Sequence, residues 1–204
     1  LFIPTFHIYR FSNSKKNEKK RIKFLKEFTI KGPGYYSSPD EFIGSIRQRL
    51  VQEIGTDYVR AITIDGGQTK NTLFFLTKNI VGMNNVNDIF WKLSKDGKVI
   101  TASKNLGRYK DLELFGSEIF TVEYNDYKNN LEQFIKERRK ATNKEVIFFT
   151  VKKGMKLKHA NDALKQLENQ GKINKKHLDK NKKRGFYVAI KHRNNVLCEI
   201  NYIS

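Results

Sequence analysis

The stretch 156-KLKHANDALKQLENQGKI-173, followed directly by 174-NKKHLDKNKKR-184, sets an amphipathic helix immediately before a run of cations. Counting from Leu157, the apolar residues Leu157, Ala160, Ala163, Leu164 and Leu167 gather on one side of a 3.6-residue period. Lys158, Asp162, Lys165, Gln166 and Asn169 gather on the other, and Gly171 is a helix stop. Beyond the basic run, 185-GFYVAIK-191 turns Phe186, Val188 and Ile190 the same way, the alternation of a half-buried strand, and 195-NVLCEINYI-203 alternates similarly. The basic run therefore reads as the tip of a hairpin.

Upstream of this pair, 126-DYKNNLEQFIKERRKA-141 reads as a helix capped by Asn125, with Tyr127, Leu131, Phe134 and Ile135 on its apolar side. The run 145-EVIFFTV-151 reads as a strand, and TVKKGM leaves room for one helical turn at most before Lys156. Helix, strand, helix and basic hairpin in this order are the parts of a winged helix, with 156–170 as recognition helix and 174–184 as wing. A helix of this kind enters a major groove while a cationic loop meets nearby phosphates. The expected nucleic-acid contacts are Lys158, Asn161, Lys165 and Asn169 on the helix and Lys175, Lys176, Lys180, Lys182, Lys183 and Arg184 on the wing. Phosphate contacts carry salt-sensitive affinity, and Asn, Gln or Lys at outward positions can touch base edges. DNA is expected ahead of RNA. Asp162 and Glu168 make the helix less basic than a dedicated reading helix, and the missing second helix favours backbone binding over deep insertion. A purely protein-docking module is the competing reading, with Tyr35, Tyr36 and Trp91 as anchors, although aromatic residues so spaced more often fill a core.

Charge supports a polyanionic partner. The 204 residues carry a formal charge of +19 and a pI near 9.9, unusual for a metabolic enzyme. Residues 1–129 hold 21 Lys and Arg against 14 Asp and Glu, whereas residues 130–204 hold 19 against 7. The shorter part is the more basic. No apolar run approaches the roughly 20 residues of a membrane span and no signal-peptide pattern is seen, so a soluble, cytoplasmic protein without a membrane partner is expected. One cysteine, Cys198, excludes an intrachain disulfide and any multi-cysteine metal site, and sits where a buried small hydrophobe fits. His7, His159, His177 and His192 show no metal-binding spacing. No nucleophile elbow, triad or nuclease-like acidic cluster is legible, so no catalytic residue is assigned.

The remaining chain reads as strand, helices and a strand pair. Residues 1-LFIPTFHIYRF-11 suit a strand, 15-KKNEKKRIKFLKEF-28 a short helix with a basic face, and 32-GPGYYSS-38 a loop. Ser38, Pro39 and Glu41 open a well-signed helix, with Phe42, Ile46, Leu50 and Ile54 on its apolar face and Gly55 as its stop. The segments 58-YVRAITID-65 and 71-NTLFFLTK-78 form a hairpin across GGQTK, and 84-NNVNDIFWKLS-94 is a helix. Residues 95–124 are expected to be loop with short strands, the last being IFTVEY. A division at 124/125 follows, giving an α/β region over 1–124 and a winged-helix (α+β) module over 125–204.

The strand, helix and antiparallel pair of the first region resemble the last third of a class I S-adenosylmethionine-dependent methyltransferase, a Rossmann-like sheet. With FIPTFHIYRF, NTLFFLTKNIVGMNNVNDIFWKL and a basic winged-helix tail, the chain looks like the C-terminal portion of a three-Cys-motif partner protein. The resemblance implies that S-adenosylmethionine would bind a glycine-rich loop and an acidic residue preceding Leu1, so that this chain is a fragment that is not catalytic alone and holds no cofactor. It also implies a three-cysteine protein as partner. Ile64-Asp65-Gly66-Gly67 superficially matches an acidic–glycine cofactor loop, but its place between two strands makes it a hairpin turn. A methyltransferase-like parent enzyme stands as the alternative to nucleic-acid binding.

Overall fold

The computed structural model describes residues 2–3, 9, 18–29, 36–56, 58–66, 70–94, 99–101, 122–178 and 184–203. Most of the strand expected over 1–11, most of the loop over 32–38 and of the region 95–124, and Lys180, Lys182 and Lys183 lie outside the described residues. The architecture is mixed α/β, with six helices and two small sheets among the described residues. The chain divides into two compact units: Leu1–Asn79 with Lys92–Ser117, and Ile80–Trp91 with Glu118–Ser204.

In the first unit, β1 (Phe2–Ile3), β2 (Val59–Asp65), β3 (Lys70–Leu76) and β4 (Val99–Thr101) lie in the order β1-β3-β2-β4. β3 is antiparallel to both β1 and β2, and β2 runs parallel to β4. The register runs from Val59 opposite Leu76 to Asp65 opposite Lys70, where an ion pair of 3.2 Å closes the hairpin. Asp65-Gly66 is therefore hairpin and no cofactor loop. Helix α1 (Glu18–Phe28) is followed by α2 (Pro39–Ile54). Ser38 caps α2, its Oγ accepting from the Glu41 N–H at 3.2 Å, and Gly55 adopts a left-handed φ of 63° that a side chain would resist. The Glu41 carboxylate reaches back to the Ser37 N–H at 2.7 Å, so the expected capping box closes one residue early. Phe42 and Ile46 join Ile3, Leu25, Tyr36, Val59 and Phe74 in the core. Tyr36 is a core residue and not a docking anchor: its ring meets Phe42 edge-on at 5.1 Å and its hydroxyl bonds Ser45 at 2.9 Å.

The second unit contains most of α3 (Ile80–Leu93), then α4 (Val122–Arg138), β5 (Lys140–Thr142), α5 (Asn143–Lys152), α6 (Leu157–Asn169), β6 (Ile173–His177) and β7 (Cys198–Tyr202). Its sheet is antiparallel in the order β5-β7-β6. α6 packs on α4 and α5, burying the five apolar residues expected of it, Leu157, Ala160, Ala163, Leu164 and Leu167.

Several expectations are corrected here. The run 145–151, read as a strand, lies inside helix α5. Its β-branched and aromatic residues are overruled by a complete capping box: Thr142 Oγ1 accepts from the Glu145 N–H at 3.2 Å and Glu145 Oε2 accepts from the Thr142 N–H at 2.8 Å. Val146, Ile147, Thr150 and Val151 are buried at helical spacing. A full second helix thus precedes α6. Arg139, with φ 59°, ends α4 earlier than expected, and the next residues form β5. Val122–Tyr124, expected at the end of a strand, open α4, so Asn125 is not its cap. Residues 185–191 form no ladder. Phe186 and Val188 are buried as expected, but Gly185 and Tyr187 have positive φ, and Ile190–His192 make a 3-10 turn. Part of the basic run is instead β6, and the hairpin partner is β7.

The second unit is discontinuous in sequence. The Asn87 side-chain Nδ2 donates to Val151 O at 3.0 Å and the Trp91 indole Nε1 to Gly154 O at 2.9 Å. Two carbonyls at the end of α5 thereby gain donors from α3. Residues 118–204 alone should accordingly melt at a lower temperature than the same chain mixed with a peptide of residues 80–93, as followed by circular dichroism. Thr142→Ala should lower unfolding free energy by about 1 kcal/mol, measured by urea titration, because the Oγ1 that accepts from the Glu145 N–H is lost while the Thr142 backbone N–H keeps its bond to the Glu145 carboxylate.

Candidate nucleic-acid interface

Three side chains of α6 project outward on one face. Lys158, Lys165 and Asn169 are exposed, with Asp162 half-buried between the two lysines. The orientation of this helix is set at the turn 153–156. Gly154, with φ 75°, permits the chain reversal there, and the Met155 N–H returns to Thr150 O at 3.1 Å. The Trp91 bond to Gly154 O fixes the same turn from outside. Trp91 is thus a bracing residue and not an exposed anchor.

Asn161 does other work. Its Nδ2 donates to Leu157 O at 3.0 Å and to Val188 O at 2.8 Å, so it pins the loop between β6 and β7 onto α6 instead of facing a ligand. Lys175 is also engaged internally. Its ammonium lies 2.7 Å from both Glu168 carboxylate oxygens and 4.7 Å from the centre of the Phe186 ring. Lys176 and Arg184 are exposed on the hairpin. Of the ten residues read from the sequence, three share the α6 face, two lie on the hairpin, two serve the fold, and Lys180, Lys182 and Lys183 lie outside the described residues.

The loop between β6 and β7 closes through the Leu178 N–H donating to Leu197 O at 3.0 Å. Tyr187 sits in it with φ 54°, a conformation that costs a non-glycine residue roughly 1 kcal/mol or more. Edge-on contacts with His177 at 5.6 Å and His192 at 5.7 Å hold the ring there. Exposed Lys191 and the half-buried Arg193, whose Nη1 donates to Ile190 O at 3.2 Å, add two cations that the sequence reading passed over. Both charges are plain in the sequence, but reading 185–191 as a strand puts Lys191 at its end and Arg193 in the turn to 195–203 instead of in the cationic loop.

No group of three His, Cys, Asp or Glu among the described residues is placed to hold a metal ion. The Cys198 thiol is buried, and burial raises its pKa to about 11, which leaves it protonated and unreactive. No helix among the described residues is long and apolar enough to cross a membrane.

His159, on the inner side of α6, is enclosed by Trp91 at 4.6 Å and Tyr124 at 5.7 Å, both edge-on. Its buried Nδ1 has no hydrogen-bond partner. Burial, reinforced by the charges of Lys156 and Lys158, pushes its pKa down to about 4. An unfolded imidazole titrates near 6.5, so on acidification the unfolded chain takes the proton first. His159 contributes its full stabilisation above pH ~6.5 and loses it as pH falls toward about 4. The melting temperature should therefore drop across that window, and His159→Gln should flatten the decline, as read by thermal melts at half-unit pH steps.

Comparison with protein-family models, with curated proteins and with solved structures returns no match, so the functional reading rests on these residues themselves.

Proposed function

We infer that the chain is a nucleic-acid-binding protein whose second unit is a winged helix, with α6 as the recognition helix and the β6–β7 loop as the wing. One observation carries this reading: the succession α4, β5, α5, α6, β6, β7 with sheet order β5-β7-β6, in which the exposed Lys158, Lys165 and Asn169 stand directly before a cation-rich loop. The full length of α5 strengthens it, since α5 and α6 supply the two helices that a helix–turn–helix requires. Duplex DNA is the preferred ligand, because the major groove of B-form DNA admits a helix whereas that of A-form RNA is too narrow.

The mechanism divides between the two elements. Cations of the loop neutralise phosphates and release counterions, which supplies affinity without sequence preference. Lys165 and Asn169 on α6 supply what base reading there is, with Lys158 about two to three turns away for a flanking phosphate.

The first unit supports a second, compatible reading as the end of a methyltransferase-like sheet. Its β3 lies antiparallel between β1 and β2, and helices separate β1 from β2, the element order that the resemblance calls for. On that reading S-adenosylmethionine and a three-cysteine partner belong to a longer parent, and this chain contributes the nucleic-acid contact.

Replacing Lys180, Lys182, Lys183 and Arg184 together with Gln should lower the slope of log K against log salt for a fluorescent duplex by roughly three to four units, about 0.9 per lost phosphate contact. The melting temperature should barely change, because solvated surface cations add little stability. Lys165→Ala or Asn169→Ala should instead weaken a preferred sequence more than a random one. An unchanged slope in the quadruple variant would transfer the reading to protein docking.

A further inference from the structure

We propose that the outer face of α5, together with Phe134 of α4, binds single-stranded nucleic acid through a surface separate from α6 and the wing. Lys144, Phe148 and Lys152 are spaced by four residues and so lie in one stripe along α5. Lys152 is exposed and Phe148 retains 36 % of its surface, unusual for a phenylalanine on a helix that buries five other residues of its length. Beside this stripe runs a second, Phe149 and Lys153, also four apart, with the Lys153 ammonium 5.6 Å from the centre of the Phe149 ring. Phe149 stacks on Phe134 at 4.5 Å and 27°, and the Arg138 guanidinium lies 4.5 Å from the Phe134 ring. The surface is thus an alternation of rings and cations.

The acid within this patch is answered inside the fold. Glu145 accepts from the Thr142 N–H and Oγ1 and from Arg138 Nη1 at 3.0 Å. Burial works to raise its pKa, but these hydrogen bonds and the Arg138 charge outweigh it and hold the carboxyl below its ordinary value. Lys144, Lys152 and Lys153 then give the patch an outward positive field. A polyanion satisfies that field, and the rings decide which polyanion. A duplex hides its base faces in its own stack and leaves an exposed Phe148 nothing flat to meet. An acidic peptide supplies carboxylates without repeated planar groups. A single strand supplies phosphates and open base faces in alternation, and aromatic side chains interleaved with cations are what such strands bind.

The assignment does not depend on α6 or on the wing, so one set of titrations separates the two surfaces. Anisotropy of a fluorescent 15-nucleotide dT strand and of a duplex of the same length would be followed over several salt concentrations with the full chain. Phe148→Ala should weaken dT binding roughly 5- to 150-fold, the range for losing one stacked base, with the salt slope unchanged. Phe148→Tyr should retain the affinity. Lys144→Ala combined with Lys152→Ala should lower the single-strand slope by roughly 1.4. Duplex binding should survive all three changes, while Lys165→Ala should weaken duplex and spare dT. Thermal melts of each variant establish that the fold is kept. The proposal is overturned if the wild-type chain does not bind dT, if Phe148→Ala leaves dT affinity unaltered, if it weakens dT and duplex equally, or if an acidic peptide bearing phenylalanine displaces the strand at equal charge concentration.

Discussion

The carboxamide of Asn143 is fully buried at the first turn of α5, and the second unit is organised around it. Its Oδ1 accepts from the Leu197 N–H at 2.8 Å and the Cys198 N–H at 3.2 Å, and its Nδ2 donates to Asn195 O at 3.0 Å. The entry into β7 is thereby tied to the start of a helix more than fifty residues earlier in sequence. The preceding residue, Thr142, is both the last ladder residue of β5, opposite Glu199, and the cap of α5. Two adjacent positions thus fix where the sheet ends, where the helix begins and where the returning strand enters. A buried amide with all of these bonds made is stabilising, whereas one left unmade there would cost about 1–3 kcal/mol. The β6–β7 loop can be long and irregular because both of its strands are anchored independently of it.

How far the fold could be read beforehand follows from which signals were local. α2 was legible because cap, first-turn proline and terminal glycine are contiguous, and α6 because its apolar period is clean. The β2–β3 hairpin was legible for the same reason. The sequence reading misses α5 because IFF and the flanking valines carry strand propensity, while the deciding pair is split: Thr142 falls just past the helix read over 126–141, and Glu145 opens the strand read over 145–151. The stretch 185–191 was misread because burial of Phe186 and Val188 alternates as in a strand. The alternation is real, but two residues with positive φ break any ladder. The role of Asn161 was beyond reach from sequence, since its partner carbonyl at Val188 lies 27 residues away.

The cations of the second unit fall into two populations. Lys172 and Lys175 close on Glu132 and Glu168 at 2.7 Å, and Lys140 on Glu199 at 3.0 Å, so strands and helices of the sheet side are neutralised pairwise. Those pairs use three of the seven acids present in residues 130–204, and Glu145 pairs with Arg138. What is left on α5, α6 and the loop is a net surplus of positive charge. Such a surplus weakens a fold through self-repulsion unless a polyanion compensates it, and it is concentrated on the elements that the hydrogen bonds of Asn143, Asn161 and Trp91 hold most firmly.

The bracing of α5 by α3 also bears on how the chain is made. Asn87 and Trp91 leave the ribosome 64 and 63 residues before their acceptors Val151 and Gly154. At roughly 5–20 residues per second that interval lasts about 3–13 s, during which α3 exists without the surface it will cover. Its buried face, including Met83, Val86 and Phe90, is for that time an exposed apolar stripe on a nascent chain. The second unit cannot close from local contacts alone, and its earliest-made helix must wait, open to chaperones or to misplaced partners, until its last-made neighbours arrive.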